Sequence, residues 1–160
     1  MTVRQIFNKD QKGFTLIELL VVIGILAILL AITLIAINPA RQFGQANDTK
    51  RRSDVTQILN AIGQYTASNT GQLPAVVSGL AADTPTELSS ATTLTALCAQ
   101  LVPNYVPALP MDPTQNDQAG VEASECGGTW DTDYTISRDA NNRILVAAPN
   151  AYSGPIQVTR

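Results

Sequence analysis

The chain has 160 residues, with 10 basic and 13 acidic residues, two cysteines and no histidine. The lack of histidine excludes Ser-His triads and histidine-ligated zinc, and two distant cysteines are too few for a thiolate metal cluster. Beyond Thr66, nine acidic residues stand against three basic ones, a formal charge of −6. This charge argues against nucleic-acid binding by the C-terminal part.

The most apolar segment of the chain spans residues 14–37. Its 24 residues include one ionisable side chain, Glu18, and as a helix they would extend about 36 Å, enough to cross a hydrocarbon core of about 30 Å. The segment is longer than the roughly 7–15 apolar residues of a cleaved secretory signal. Basic residues lie on both sides of it, so the positive-inside rule does not decide its orientation. Hydropathy alone predicts a membrane anchor.

A short motif connects a basic, polar leader to this segment: Lys12-Gly13-Phe14-Thr15-Leu16-Ile17-Glu18. The sequence G-F-T-L-I-E resembles the class III signal sequence of type IV pilins and pseudopilins, and the resemblance continues through the apolar segment. It implies that a prepilin peptidase removes the leader, residues 1–13, by cutting between Gly13 and Phe14, and that Phe14 is then N-methylated. Glycine suits such a cut because it offers the protease an unhindered backbone.

Glu18 needs a physical explanation of its own. An ionisable group in a membrane helix costs on the order of 2.5–3.5 kcal/mol, and residues 14–37 contain no Lys or Arg. Cleavage would create a cation, the free amine of Phe14. We therefore predict that Glu18 pairs with the Phe14 amine of a neighbouring subunit and sets the assembly register, in agreement with what the resemblance implies. The alternative is that Glu18 reaches the lipid headgroups.

The apolar segment is predicted to continue as one long, kinked helix from Phe14 to about Ser68, with residues 38–68 as its amphipathic part. Pro39 interrupts the pattern and Gly24 is a second weak point, so both are predicted kink sites. An apolar stripe with helical spacing follows, formed by Val55, Ile58, Leu59, Ile62 and Tyr65. Asn69-Thr70-Gly71 supplies the stop.

The opposite face of this amphipathic helix is polar. It carries Asp48, Lys50, Arg52, Asp54 and Gln57. The basic run Lys50-Arg51-Arg52 could be interpreted as a nucleic-acid patch. We expect instead that it makes ion pairs between subunits or contacts anionic lipid.

Residues 69–160 are predicted to form an exported globular head. It should contain an irregular loop, a short helix capped by Thr93, an extended Pro-rich crossing over residues 103–113, and an antiparallel sheet. The predicted loop is Pro74–Ser90, and the predicted strands are Trp130–Ser137, Arg143–Ala148 and Gly154–Thr159, with a turn at residues 139–142. The Tyr-Val-Pro-x-Leu-Pro-x-Asp-Pro pattern from Tyr105 resembles the segment before the sheet in many pseudopilins and monoderm-type pilins.

Cys98 and Cys126 are predicted to form a disulfide, because exported domains with two cysteines fold in an oxidising compartment. The alternative is two unpaired thiols. A link between them would close a loop of 29 residues.

Two acidic patterns raise other chemistries. Asp131-Thr132-Asp133-Tyr134-Thr135 matches the D-x-D-x-T pattern of phosphoryl-transferring hydrolases, but no buried apolar strand precedes it, and no catalytic activity is predicted. Major pseudopilins bind calcium after a Pro-x-Asp-Pro segment, which makes candidates of Asp112, Asp117, Glu122, Asp131 and Asp133. Solvated loop acids are the default, so no cofactor is predicted, with calcium as the alternative.

Together these features predict an α+β, type IV pilin-like fold and the function of a structural filament subunit that is not an enzyme. The implied partners are further copies of the chain, a prepilin peptidase, an assembly ATPase and an inner-membrane platform protein. The precursor would be a single-pass protein of the inner (cytoplasmic) membrane with a cytoplasmic leader, and the assembled form a surface pilus or a periplasmic pseudopilus. The alternatives are a pseudopilin or minor pilin of a secretion or DNA-uptake apparatus and, in another class, a membrane-anchored binding module that does not polymerise.

Overall fold

The computed structural model describes residues 13–115 and 119–160. The leader residues 1–12 and the calcium candidate Asp117 lie outside the described residues. The chain divides into two compact units, Met1–Pro39 and Ala40–Arg160, and each is described by itself.

The first unit contains helix α1, Leu16–Ala36, formed almost entirely by leucine, isoleucine, valine and alanine. Thr15 is its N-cap, and the N–H of Ile37 donates to the carbonyl of Thr33 at the C-terminal end. The helix runs through Gly24 without a break. None of its residues is buried, so the apolar surface of α1 has no partner among the residues of its unit that the structure describes, 13–39.

Helix α2, Pro39–Ser68, begins two residues after Ile37, the C-cap of α1. The prediction of a single kinked helix is therefore corrected to two helices, with Ile37 and Asn38 between them. Proline explains the boundary, since it disfavours helical backbone at the preceding residue and lacks the N–H that an interior position would need. At the first position of a helix neither property is a disadvantage, and Pro39 starts α2.

The predicted apolar stripe of α2 is confirmed. Val55, Ile58, Leu59 and Ile62 are buried and belong to one core with the inner residues of the sheet. Tyr65 is partly buried and meets Tyr105 edge to face, with ring centroids 5.7 Å apart. The spacing of three and four residues is what brings these side chains onto one side of the helix.

The sheet of the head has four antiparallel strands in the order β1-β2-β3-β4. They are β1 (Thr86–Ser89), β2 (Asp131–Arg138), β3 (Ile144–Ala148) and β4 (Ile156–Thr159). Side chains of β2 alternate strictly at first, with Thr132, Tyr134 and Ile136 buried. The predicted α+β architecture, an N-terminal apolar helix with a small antiparallel sheet, is confirmed.

Part of the segment predicted as an irregular loop is regular. It contains the short helix α3, Ala75–Ser78, and strand β1, which pairs with β2 across an irregular register between Glu87 and Ser89. Strand β1 has one core residue, Leu88, whose carbonyl accepts from the Thr132 hydroxyl at 2.8 Å. Four residues with one apolar side chain carry too little periodicity to predict a strand.

The predicted short helix is α4, Thr95–Leu101, which buries Leu97, Cys98 and Leu101. Its N-cap is Leu94, so the prediction that Thr93 caps it is wrong. Thr92 supplies the nearby hydroxyl instead, accepting from the Leu94 N–H at 3.2 Å.

A disulfide joins Cys98 of α4 to Cys126, with Cα atoms 5.4 Å apart. The carbonyl of Cys126 also accepts from the indole N–H of Trp130, at 3.2 Å. The disulfide therefore ties α4 to the loop that leads into β2.

Candidate assembly site and buried charge cluster

The predicted cleavage site lies directly before α1. Gly13 and Phe14 are exposed and outside the helix, and Phe14 is 83% exposed. A protease needs an accessible backbone that is not tied into helical hydrogen bonds, and this segment provides one.

Glu18 has a partner within its own chain that was not predicted. Its Oε2 accepts from the Thr15 N–H at 2.8 Å and from the Thr15 hydroxyl at 2.7 Å, and the Glu18 N–H donates back to that hydroxyl at 3.3 Å. This is a capping box. Its signature, Thr-x-x-Glu before an apolar run, is present in the sequence and could have identified it.

The capping box leaves Glu18 able to bind a further donor. An ionised carboxylate has about four acceptor positions, and the two bonds from Thr15 fall on one oxygen. The box fixes the side chain at the start of α1, four residues from Phe14. The arrangement can accept a cation from another molecule without giving up its own cap.

Among the described residues, α1 is the helix that is long and apolar enough to cross a membrane. Every side chain from Leu16 to Ala36 is exposed within the chain. An apolar helix of this kind is stable only where lipid or other helices cover it.

The head contains a buried ion-pair cluster centred on Arg51. Its guanidinium binds Asp112 through two parallel bonds, from Nε to Oδ2 at 2.6 Å and from Nη2 to Oδ1 at 2.8 Å, and its Nη1 lies 3.1 Å from Asp48 Oδ1. The side chains of Arg51 and Asp112 are 3% and 0% exposed. Hydrogen bonding to Asp112 raises the pKa of Arg51. Burial opposes ionisation of Asp112, but its bonds to Arg51 and Thr114 lower its pKa.

This cluster corrects two expectations. Arg51 does not face a neighbouring subunit or lipid, because its guanidinium is buried within its own head. Asp112 is not an open calcium ligand, because both of its oxygens are bound by Arg51 and one also by Thr114. The pair fastens α2 to the Pro-rich crossing.

Asp48 ties α2 to a second segment. One oxygen accepts from the Tyr152 N–H at 2.8 Å, and the other from the Ser153 N–H at 2.9 Å and from the Ser153 hydroxyl. Burial tends to raise the pKa of Asp48, but the bonds from Ser153, Tyr152 and Arg51 outweigh it and lower that pKa to about 2.

Asp54 makes the third connection, from α2 to the sheet. It accepts from the Tyr134 hydroxyl at 2.8 Å and from the Lys50 ammonium at 2.8 Å. Burial and this bond to Asp54 raise the pKa of Tyr134. Asp48 and Asp54 lie on the predicted polar face of α2, yet they are only 4% and 5% exposed.

The sequence contained only part of the signal for this cluster. Asp48 and Arg51 have the three-residue spacing of a helical ion pair. Their partners Asp112, Tyr134 and Ser153 are 61 to 105 positions distant in sequence from the α2 residue that each contacts, and no local pattern connects them.

Two of the calcium candidates lie together. Carboxylate oxygens of Asp131, Asp133 and Glu87 lie within 4.8 Å of one another. Glu87 was not predicted, because strand β1 was not. Two of these acids already accept hydrogen bonds, Asp133 from the Gln115 amide and Asp131 from the Asp133 N–H. Calcium binding by these residues stays a prediction. Asp131 begins an antiparallel strand and does not follow one, unlike the hydrolase nucleophile.

The family described as the prokaryotic N-terminal methylation motif matches residues 8–34 of the chain. Type II secretion system core protein G of Escherichia coli (strain K12) is 34% identical over 118 residues, which cover 73% of this chain and 76% of that protein. No solved structure matches the chain significantly. The family match includes Gly13, Phe14 and Glu18, and the similarity to the secretion protein is too long to be confined to α1.

Proposed function

This chain belongs to the type IV pilin and pseudopilin family, and we propose that it is the structural subunit of a type IV pilus or a related filament, cut at Gly13–Phe14 and polymerised through α1. The observation that carries the proposal is Glu18. It is the one ionisable side chain in residues 14–37, held by its capping box with acceptor capacity to spare.

In the proposed assembly, the Phe14 amine created by cleavage binds Glu18 of a neighbouring copy. A charge pair in a low-dielectric environment is costly to leave half-made. The pair therefore favours the axial offset between subunits at which the Phe14 amine of one copy meets Glu18 of the next. The exposed apolar surface of α1 supplies the packing, since helices leave lipid only when other helices replace it.

The finer partners and location are proposed on the basis of the family. Prepilin peptidase would process the precursor in the inner membrane, and a cytoplasmic ATPase with a polytopic platform protein would extract it. The head, whose disulfide suits an oxidising compartment, would lie on the exported side.

A second candidate is a pseudopilin that forms a short periplasmic filament in a secretion apparatus. The similarity to type II secretion system core protein G supports it. The two candidates differ in where the filament is found. Deletion of the gene should remove sheared surface fibres if the chain is a pilin, and should block export of folded proteins if it is a pseudopilin.

The test is Glu18→Gln, produced in place of the native chain. Filaments recovered by shearing should be lost or strongly reduced, while the amount of chain in the membrane fraction and its processing remain as in the wild type. Asp83→Asn is the matched control, since it removes an exposed carboxylate of the head that belongs to no candidate site and should leave filaments unchanged. Normal filament yield from Glu18→Gln would refute the pairing role.

A further inference from the structure

The head leaves two large apolar side chains in solvent. Among described residues beyond Ile37, these are Phe43 of α2 and Tyr152 of the loop before β4, which are 71% and 59% exposed. The Tyr152 ring lies against the backbone of α2 at Gly44, where a Cβ would stand 2.5 Å from its Cγ atom. We call Phe43, Gly44 and Tyr152 the aromatic patch.

The patch is held in place from inside the head. Asp48, one helical turn beyond Gly44, is buried and accepts hydrogen bonds from the backbone N–H groups of Tyr152 and Ser153 and from the Ser153 hydroxyl. Tyr152 is thus anchored by its backbone while its ring stays outside. An exposed aromatic ring on an anchored backbone is typical of a contact surface.

The patch lies close to the membrane along the chain. Phe43 is six residues beyond Ile37, the last residue of the apolar segment. Two extended residues and four helical ones span at most about 13 Å, so Phe43 can reach the headgroup region, which extends about 5–8 Å beyond the hydrocarbon core on each side. Aromatic side chains concentrate at this boundary in membrane proteins.

Charge favours lipid at the same place. The acids between residues 38 and 82 are Asp48 and Asp54, and both are buried in ion pairs. Arg41 and Arg52 are exposed on α2. The exposed charge of α2 is therefore positive, in contrast to the acidic remainder of the head, and it complements anionic lipid.

We propose that, before assembly, while the subunit is still in the membrane, the aromatic patch inserts into the headgroup region of the leaflet on the exported side. The proposal rests on the part of the proposed function in which α1 spans the bilayer. The occupant is the lipid interface of an anionic membrane. Extraction into a filament then requires that the head as well as α1 leave the lipid.

The experiment uses the full chain in vesicles of phosphatidylcholine and phosphatidylglycerol with brominated acyl chains. In a Trp130→Phe background, which removes the single native tryptophan, tryptophan replaces Phe43 or Tyr152. Bromine quenching and a blue shift of the emission are measured. We expect both at these positions, with weaker quenching when phosphatidylglycerol is omitted.

Asn60→Trp is the matched control. Asn60 is exposed on the same helix, 17 residues and therefore about 26 Å beyond Phe43, and its quenching should be several-fold smaller. Gly44→Ala should reduce quenching of a tryptophan at 152, because the added Cβ displaces the ring, and should spare a tryptophan at 43. Equal quenching of tryptophan at positions 43, 152 and 60 would overturn the proposal.

Flotation of the chain with the vesicles and photo-crosslinking distinguish a failure of the membrane anchor from a failure of the aromatic patch. A chain that does not float with the vesicles contradicts the membrane anchor itself, whereas a chain that floats without quenching at 43 and 152 contradicts only the patch. A benzophenone amino acid is also placed at position 152 in a chain that keeps Trp130. On irradiation it should form adducts with lipid. Adducts with a second copy of the chain in dilute vesicles would assign the patch to another subunit and overturn the proposal.

Discussion

At the scale of single residues, the charges of α2 are used in two different ways. Arg51, Asp48 and Asp54 are buried and connect α2 to three other parts of the head. Arg41 and Arg52 stay exposed. Because a buried charge without its partner is much costlier than an exposed one, substitutions in the first group should lower stability more than substitutions in the second.

Arg51→Met should destabilise the head by about 3–5 kcal/mol, because Asp112 is left buried without its cation. Urea unfolding of the full chain in detergent, followed by Trp130 fluorescence, measures the loss. Arg51→Met with Asp112→Leu should recover part of it, since Asp112 is then no longer a buried charge without its cation, while Asp48 still lacks its bond from Arg51.

Arg143→Met is the control for this comparison. Arg143 is 63% exposed and pairs with Asp139 at 2.6 Å, so its loss should cost about 1 kcal/mol or less. A loss for Arg51→Met no larger than that of Arg143→Met would contradict the account of the cluster.

Asp48 should make the stability of the head sensitive to acid. Its pKa is about 2 in the folded chain, below the unfolded value of about 3.9. The folded state therefore binds fewer protons, and the stabilisation is present above about pH 4 and is lost as the pH falls towards 2. Asp112, whose pKa is also lowered, acts in the same direction.

Asp48→Asn should cost about 1.5–3 kcal/mol at neutral pH, as is typical for hydrogen bonds to a charged group. It should also flatten the dependence of the free energy of unfolding on pH between about 4 and 2 relative to the wild type. Urea titrations at several pH values test both effects. An unchanged slope in this range would show that Asp48 is not the group that titrates.

At the scale of elements, the disulfide holds α4 against the loop before β2. The cysteines are 28 positions apart, and closing a loop of this size stabilises a fold by about 3–4 kcal/mol in the chain-entropy description. Cys98→Ala with Cys126→Ala should lower the free energy of unfolding by about this amount. Reductant should produce a similar loss in the wild type and no change in the double variant, and a wild type indifferent to reductant would contradict this role.

The elements also show which signals a sequence carries. The stripe of α2 and the strands β2 and β3 follow from local periodicity, because each has several apolar residues at a regular spacing. Strand β1 was missed since its pairing with β2 depends on residues more than 40 positions away. The interruption of the helix at Pro39 was predicted. The prediction of one kinked helix did not allow for a proline at the first position of a second helix, which is what Pro39 is.

The candidate assembly site was predictable in its residues and not in its geometry. Gly13, Phe14 and Glu18 are recognisable from the motif, whereas the capping box was overlooked although Thr15 and Glu18 are only three residues apart. The buried cluster around Arg51 could not be assembled from sequence, because it joins α2 to three other segments of the chain. Asp112, which was expected among the solvated loop acids, is buried and bound to Arg51.

At the scale of the whole molecule, two compact units with different surfaces share one chain. The first contains an apolar helix, α1, none of whose residues is buried, and the second is a head with its own core, a disulfide and a net acidic charge. A helix of this kind needs cover from lipid or from other copies. In a member of the pilin and pseudopilin family, the same helix can be covered by lipid before assembly and by neighbouring subunits after it.

The central claim is that proteolysis creates the cation that Glu18 binds. Mass spectrometry of the protein isolated from its native membranes, on the intact chain and on its N-terminal peptide, tests this claim most directly. The account predicts a mature chain of 147 residues, the 160 residues of the precursor less the 13 of the leader, beginning with N-methylated Phe14. A mature chain that still begins at Met1 would contradict it.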